Sequence, residues 1–72
     1  MTELRFHREL YDVSAIDEAV KVYERFGATE KETLDSHWLV RVTAATEARE
    51  RKVSRELANY ALGLSIKGNK QS

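Results

Sequence analysis

Two histidines, His7 and His37, are the side chains of this chain best suited to metal binding or to proton transfer near neutral pH. A zinc site needs three or four converging ligands, and the chain has no cysteine to supply thiolates. The two histidines lie far apart in sequence and belong to no HExxH or HxxxH motif. We therefore interpret both as strand-end or surface residues, and we expect no metal site and no cofactor.

The serines and the paired acids do not predict a catalytic centre either. Asp17 and Glu18 suit the first turn of a helix, and the three glycines are too dispersed to cradle a phosphate. None of the serines considered stands in a nucleophile-elbow motif: Ser14, Ser36, Ser54 and Ser65. A chain of 72 residues also has little room to enclose a ligand pocket. No catalytic residue is predicted, and an enzyme built on this chain would need a partner subunit to complete its pocket.

Composition narrows the class of partner. Twelve basic and twelve acidic side chains give a net charge of zero, which does not favour binding to nucleic acid. No apolar run is long enough for a membrane span and no signal-peptide core is visible, so we expect a cytoplasmic protein without membrane contact. Small domains without disulfides or metals are often stabilised by association. We expect a homo-oligomer or a complex with another protein or peptide.

The N-terminal third predicts a strand followed by a helix. Leu4 and Phe6 alternate with charged or polar neighbours, as in a half-buried strand, which we expect to fray near Glu9. Ser14 fits the N-cap of a helix, with Asp17 completing a capping-box-like pair. Gly27 is expected to end that helix in the left-handed conformation. The apolar residues of the predicted helix share one stripe: Ile16, Ala19, Val20, Tyr23 and Phe26.

The middle of the chain predicts a β-hairpin. Residues 28–34 are almost wholly polar, Asp35 and Ser36 give a turn signal, and residues 37–43 form the strongest strand pattern of the chain. One face of that strand is apolar and consists of Trp38, Val40 and Val42.

A second helix should follow from an N-cap at Thr46, with Gly63 as its expected end and Ile66 as its furthest extent. Its apolar residues again follow helical spacing: Val53, Leu57, Tyr60, Ala61 and Leu64. The predicted organisation is one α+β domain over residues 1–66 and a disordered tail over residues 67–72.

The predicted order is therefore β-α-β-β-α. Because the third strand is the most apolar and the second is charged along its length, we place the third strand between the other two, in the order 1-3-2 of an antiparallel sheet. Both helices should cover the face that carries Trp38, Val40 and Val42. This arrangement is close to the first two-thirds of a ferredoxin-like fold, which hosts many unrelated functions.

The opposite face of such a sheet would be bare, and we expect partner binding there and along the edge of the first strand. The candidate partner-binding residues are Arg5, His7, Leu39 and Arg41. Because Phe6 and Trp38 fall on the covered face, base stacking on the sheet is disfavoured. The alternative is a small nucleic-acid-binding or regulatory module, whose basic residues would be Arg41, Arg49, Arg51, Lys52 and Arg55.

The segment Glu9-Leu10-Tyr11-Asp12-Val13-Ser14-Ala15-Ile16 with Ala19, together with residues 56–63 (Glu-Leu-Ala-Asn-Tyr-Ala-Leu-Gly), resembles the HxsD-like small proteins. These are encoded beside the radical SAM maturases of His-Xaa-Ser peptide-modification systems. The resemblance covers about residues 5–64 and implies an accessory protein without a catalytic residue, which helps a maturase hold its peptide. Tyr11, Asn59 and Tyr60 are then candidate structural anchors, with the Asn-Tyr pair bonding to a strand end.

Overall fold

A computed structural model describes the backbone of residues 1–70 and the side chains of residues 1–65. Its elements occur in the predicted order: β1 (Thr2–His7), α1 (Val13–Tyr23), β2 (Ala28–Thr33), β3 (His37–Thr43) and α2 (Glu47–Lys70). The predicted tail falls on residues whose side chains, and for 71 and 72 also the backbone, lie outside this description. The boundary between a domain over 1–66 and a tail over 67–72 therefore stays a prediction.

The three strands form one antiparallel sheet in the order β1-β3-β2, which confirms the predicted topology. Val40 of the central strand lies opposite Leu4 of β1 and opposite Lys31 of β2. The most apolar strand thus occupies the centre and the charged β2 lies at an edge, where charged side chains discourage further strand pairing.

The hydrophobic core lies on one side of the sheet. Trp38, Val40 and Val42 are buried there, as their alternation in the sequence predicts. They belong to a cluster that also contains Phe6 of β1 and that both helices complete with Ile16, Ala19, Val53, Leu57 and Ala61. Both helices therefore cover the predicted face, which we call the helix face of the sheet.

The N-terminus of α1 differs from the prediction. The helix begins at Val13 with Asp12 as its N-cap, and no side chain caps it. Ser14 is exposed within the first turn, and Asp17 forms an ion pair with Lys31 of β2 instead of a capping box. The start of α1 instead makes a tertiary contact, in which the Asp12 N–H donates to the Ser65 hydroxyl of α2 at 3.4 Å. The start of α1 thus lies against the C-terminal half of α2, so the two helices run antiparallel.

Gly27 was expected to end α1 in the left-handed conformation, and Gly63 was expected to end α2. The structure shows neither. No glycine among the described residues has a positive φ, and α1 ends at Tyr23 with a right-handed C-cap at Glu24. At Gly27 the requirement is space, because an added Cβ would lie 2.9 Å from the Thr43 carbonyl oxygen. Gly63 lies inside α2, which continues past it and past Ile66. At the other end of α2 the predicted N-cap is confirmed, since the Thr46 hydroxyl accepts the Arg49 N–H at 3.1 Å.

Candidate partner-binding surface

The side of the sheet away from the helices, here called the reverse face, is built from alternate residues of each strand. Residues opposite one another in an antiparallel sheet share a face, so the register assigns the members directly. They are Glu3, Arg5 and His7 of β1, His37, Leu39, Arg41 and Thr43 of β3, and Ala28, Glu30 and Glu32 of β2. Of the predicted partner-binding residues, all four belong to this face.

Arg41 joins the three strands across the reverse face. Its Nε donates to Glu3 Oε2 at 3.2 Å, and its Nη2 lies 3.0 Å from Glu32 Oε1. The hydrogen bonds to Glu32 and then to Glu3 raise the pKa of the guanidinium above its ordinary value. Because two carboxylates compensate its charge, Arg41 connects neighbouring strands and is poorly suited to attract a phosphate.

Leu39, one of the candidate partner-binding residues predicted on the bare face, is buried. Its side chain is only 5% exposed, although no helix covers this side of the sheet in the described part of the chain. Leu39 lies on the central strand directly opposite Arg5 and Glu32. The methylene groups of such long side chains can cover a central apolar residue while their charges stay in water. Any partner would first meet the flanking charged residues.

His7 and His37 lie opposite each other at one end of the reverse face. Their ring centroids are 4.9 Å apart in an edge-to-face arrangement. Nδ1 of His7 accepts the Glu9 N–H at 3.2 Å, and Nδ1 of His37 lies 2.7 Å from the Ser36 hydroxyl. Within residues 1–65 no group of three or more histidine, cysteine or acidic side chains is placed to hold a metal ion. The two histidines therefore contact each other and their sequence neighbours at this end of the sheet.

The outer edge of β1, here called the free edge, has no neighbouring strand among the described residues. The Arg8 N–H donates to the Ser36 carbonyl in continuation of the β1–β3 register. Because inward and outward backbone groups alternate along an antiparallel strand, the even-numbered residues of β1 bond to β3 and the odd-numbered ones face outward. Glu3 and Arg5 thus direct both N–H and C=O to the free edge. His7 directs only its N–H there, since its carbonyl accepts the N–H groups of Leu10 and Tyr11.

At its N-terminal end, β1 is fixed to α2. The Thr2 hydroxyl donates to the Glu50 carboxylate at 2.7 Å, and the Ala44 N–H lies 3.4 Å from the same carboxylate. The Met1 amino group lies 3.1 Å from it. Glu50 is 9% exposed, and the bond from Thr2 is the main cause that lowers the pKa of its carboxyl.

At its C-terminal end, β1 is fixed by Arg8. Its Nη1 donates to the carbonyl oxygens of Leu34 and Asp35 at 3.4 and 3.2 Å, in the hairpin turn. The guanidinium also lies 5.6 Å from the centre of the Trp38 ring, within range of a cation–π contact. Sequence reasoning missed both Arg8 and Glu50, because their partners lie far away in the chain and no local spacing indicates them.

The candidate anchor residues have separate surroundings. Tyr11 contacts Phe6 edge-to-face, with ring centroids 4.9 Å apart, and so joins the loop after β1 to the core. Tyr60 meets Tyr23 of α1 at 5.9 Å, and Asn59 is exposed. The Asn-Tyr pair thus adjoins α1 through Tyr60, and a bond from it to a strand end stays a prediction.

The four basic residues near the start of α2 are exposed: Arg49, Arg51, Lys52 and Arg55. Arg51, Lys52 and Arg55 line a shallow depression beside Ala48. They are remote from the reverse face, because α2 covers the other side of the sheet. Arg41 and these four basic residues therefore belong to different surfaces.

No helix within the described residues is both long and apolar enough to cross a membrane. No protein-family model, no curated protein and no solved structure matches the chain. Membership of the HxsD-like proteins accordingly stays a prediction that depends on the residues quoted above.

Proposed function

We propose that this protein is a non-catalytic accessory module that binds a protein or peptide by accepting an extended strand along the free edge of β1. The observation that carries the proposal is the outward direction of the backbone N–H and C=O groups of Glu3 and Arg5. Strand addition uses such groups for affinity and alternate side chains for specificity.

The fixation of β1 at both ends supports this proposal. The bonds from Thr2 to Glu50 and from Arg8 to the hairpin turn hold the strand in an extended conformation before any partner arrives. A binding edge that is ordered in advance loses little conformational entropy on association. Reverse-face residues next to the edge, Arg5 and His7, would then contact the side chains of the bound segment.

The resemblance to HxsD-like proteins suggests one class of partner. The resemblance implies an accessory protein that holds a peptide for a maturase, and a flexible peptide can bind as a fourth strand of the sheet. A cytoplasmic location belongs to the same proposal. The peptide to test first carries His-Xaa-Ser repeats.

The proposal can be tested with the Arg5→Pro variant. Proline removes the outward N–H of Arg5 but no bond to β3, and proline is tolerated in edge strands. Arg5→Ala is the matched control, because it removes the same side chain and keeps the N–H. Titrations with the His-Xaa-Ser peptide, and with extended peptides selected from a display library, should shift the backbone amide signals of Glu3, Arg5 and His7. We expect binding to persist in Arg5→Ala and to weaken at least about tenfold in Arg5→Pro. Equal binding to both variants would contradict the proposal.

A second candidate is a nucleic-acid-binding or regulatory module that uses the exposed side of α2. It is favoured by the depression lined by Arg51, Lys52 and Arg55, whose side chains form no ion pair among the described contacts. A gel-shift titration with RNA and DNA at low salt tests it. Binding that weakens with salt and is lost in Arg51→Glu/Arg55→Glu would support this candidate. The absence of any shift would remove it.

A further inference from the structure

We infer that the free edge of β1 pairs with β1 of a second copy of this chain, antiparallel, with the two Leu4 residues facing each other and Glu3 facing Arg5 of the second copy. This inference rests on the proposed function, since it takes the free edge to be the binding surface, and it names the partner and the register.

Backbone geometry limits the possible registers. Two residues of an antiparallel pair exchange hydrogen bonds only when both direct their N–H and C=O groups toward each other. On the free edge these are the odd-numbered residues of β1. Odd residues must therefore face odd residues, which also keeps both helix faces on the same side of the joined sheet. An axis at Thr2 or Phe6 would overlap only one end of β1, so the axes that pair most of the strand pass through Glu3, Leu4 or Arg5.

Charge selects among these three registers. An axis at Glu3 places two glutamates opposite each other, and an axis at Arg5 places two arginines opposite each other. Like charges directly across an antiparallel pair are destabilising, and opposite charges are stabilising. Only an axis at Leu4 avoids both repulsive pairs, because it aligns Glu3 with Arg5 twice.

The state of the backbone groups favours the axis at Leu4 over the axis at Arg5. With the axis at Leu4, Glu3 and Arg5 of each copy exchange hydrogen bonds, which uses the outward groups that both residues leave free. With the axis at Arg5, Glu3 of one copy would lie opposite His7 of the other, and its N–H would have to donate to the His7 carbonyl. That carbonyl already accepts the N–H groups of Leu10 and Tyr11.

The charges of the reverse face continue across this interface. Within one chain, Arg41 lies between Glu32 and Glu3, so the charges alternate from β2 to the free edge and end on a carboxylate. Arg5 forms no ion pair among the described contacts. In the inferred register, Arg5 of the second copy lies next to Glu3 and extends the alternation by one cation. The result is a continuous sheet made of both copies, with all four helices on one side.

A scan of single cysteines tests the register, because the chain contains no cysteine of its own. Leu4→Cys, Glu3→Cys and Arg5→Cys each place a thiol at one of the three possible axes. Directly opposed residues in an antiparallel pair lie about 4.5–5.5 Å apart at Cα, within the range of a disulfide. We expect oxidation to link Leu4→Cys into a covalent dimer at least tenfold faster than either other variant. Faster crosslinking of Glu3→Cys or Arg5→Cys would overturn the register.

A charge exchange provides a second test that does not depend on cysteine chemistry. Glu3→Arg and Arg5→Glu should each weaken self-association about tenfold in analytical ultracentrifugation, since two attractive pairs become repulsive. Mixed in equal amounts, the two variants should form a heterodimer of near wild-type affinity, because each pair is again of opposite charge. This recovery also shows that both variants are folded. Failure of the mixture to recover association would overturn the pairing of Glu3 with Arg5.

The two proposals can fail separately. A wild-type chain that stays monomeric at about 0.5 mM overturns self-pairing, since the free energy of dimerisation would then be less favourable than about −4.5 kcal/mol. If the same monomer still binds extended peptides in a manner blocked by Arg5→Pro, the proposed function stands. If neither peptides nor a second copy occupy the edge, both proposals fall.

Discussion

The Thr2 hydroxyl donates a 2.7 Å hydrogen bond to the Glu50 carboxylate and so joins the first residue of the edge strand to the first turn of α2. The two residues lie 48 positions apart in the sequence. A carboxylate in the first turn of a helix is stabilised by the helix dipole, and here it also holds a strand in place. The free edge of β1 is therefore coupled to a helix on the other side of the core.

This bond predicts an acid-dependent loss of stability. Because the pKa of Glu50 is lower in the folded than in the unfolded chain, the unfolded state binds more protons as the pH falls. The contribution is fully present above the ordinary pKa of a glutamate and is lost as the pH falls through the lowered folded value. Urea unfolding of Glu50→Gln between about pH 7 and pH 3 should show a shallower pH dependence than the wild type. The matched control is Glu47→Gln, which removes a carboxylate of the same turn and keeps the bond from Thr2 to Glu50. A pH dependence in Glu47→Gln as shallow as that of Glu50→Gln would contradict the role assigned to this bond.

Arg8 predicts a difference between arginine and lysine. Lysine keeps the charge but cannot bond both hairpin carbonyls while lying over the Trp38 ring, so Arg8→Lys should lower the free energy of unfolding by about 1–2 kcal/mol. Tryptophan fluorescence should report the transition and a changed environment of the indole. The control is Arg51→Lys, an exposed site on α2, where we expect less than about 0.5 kcal/mol. Equal effects at both sites would refute the assigned role of Arg8.

The two glycines predict opposite effects of the same substitution. Gly27→Ala should destabilise the protein by about 1–3 kcal/mol, because the new Cβ would lie 2.9 Å from a backbone carbonyl that cannot move freely. Gly63→Ala should stabilise it by up to about 1 kcal/mol, since an added Cβ meets nothing within 4 Å and alanine favours the helix. Thermal unfolding of both variants measures the difference. A loss of stability in Gly63→Ala would mean that α2 does not continue through that residue in solution.

Two buried serines of α2 also predict opposite effects. Ser54 is 3% exposed and its hydroxyl has no hydrogen-bond partner among the described residues, so Ser54→Ala should raise the free energy of unfolding by about 1 kcal/mol. Ser65 is equally buried, but its hydroxyl accepts the N–H of Asp12 at the start of α1. Ser65→Ala should therefore lower the stability by about 1 kcal/mol. Chemical denaturation of the two variants under the same conditions checks both signs.

Alternation and polarity were sufficient to predict the sheet. The spacing of Trp38, Val40 and Val42 identified the covered face, and the charge of β2 placed it at an edge. Both signals are local, since each depends on residue types within one strand. The N-cap at Thr46 was predictable for the same reason, because the hydroxyl and the N–H that it accepts lie within one helical turn.

Features set by distant contacts could not be predicted. The sequence alone places Leu39 on a bare face of the sheet, whereas its burial depends on side chains of two other strands. Ser14 and Gly27 carry end-of-helix signals, but the N-cap residue Asp12 bonds to Ser65 and the space at Gly27 is limited by the Thr43 carbonyl. For the candidate site, the sequence identified the edge strand and the reverse face. The direction in which each backbone group points could be assigned only from the strand register in the structure.

The alternation along β1 separates two sets of residues within one short segment. Thr2, Leu4 and Phe6 direct their side chains to the helix face and their backbone groups to β3, so they serve folding. Glu3, Arg5 and His7 direct their side chains to the reverse face and their backbone N–H groups to the free edge, so they are available for association. Substitution in the second set removes no backbone bond to β3 and no side chain from the core on the helix face. Partner preference in this domain can therefore evolve, or be redesigned, by changing every second residue of a single strand while the fold is preserved.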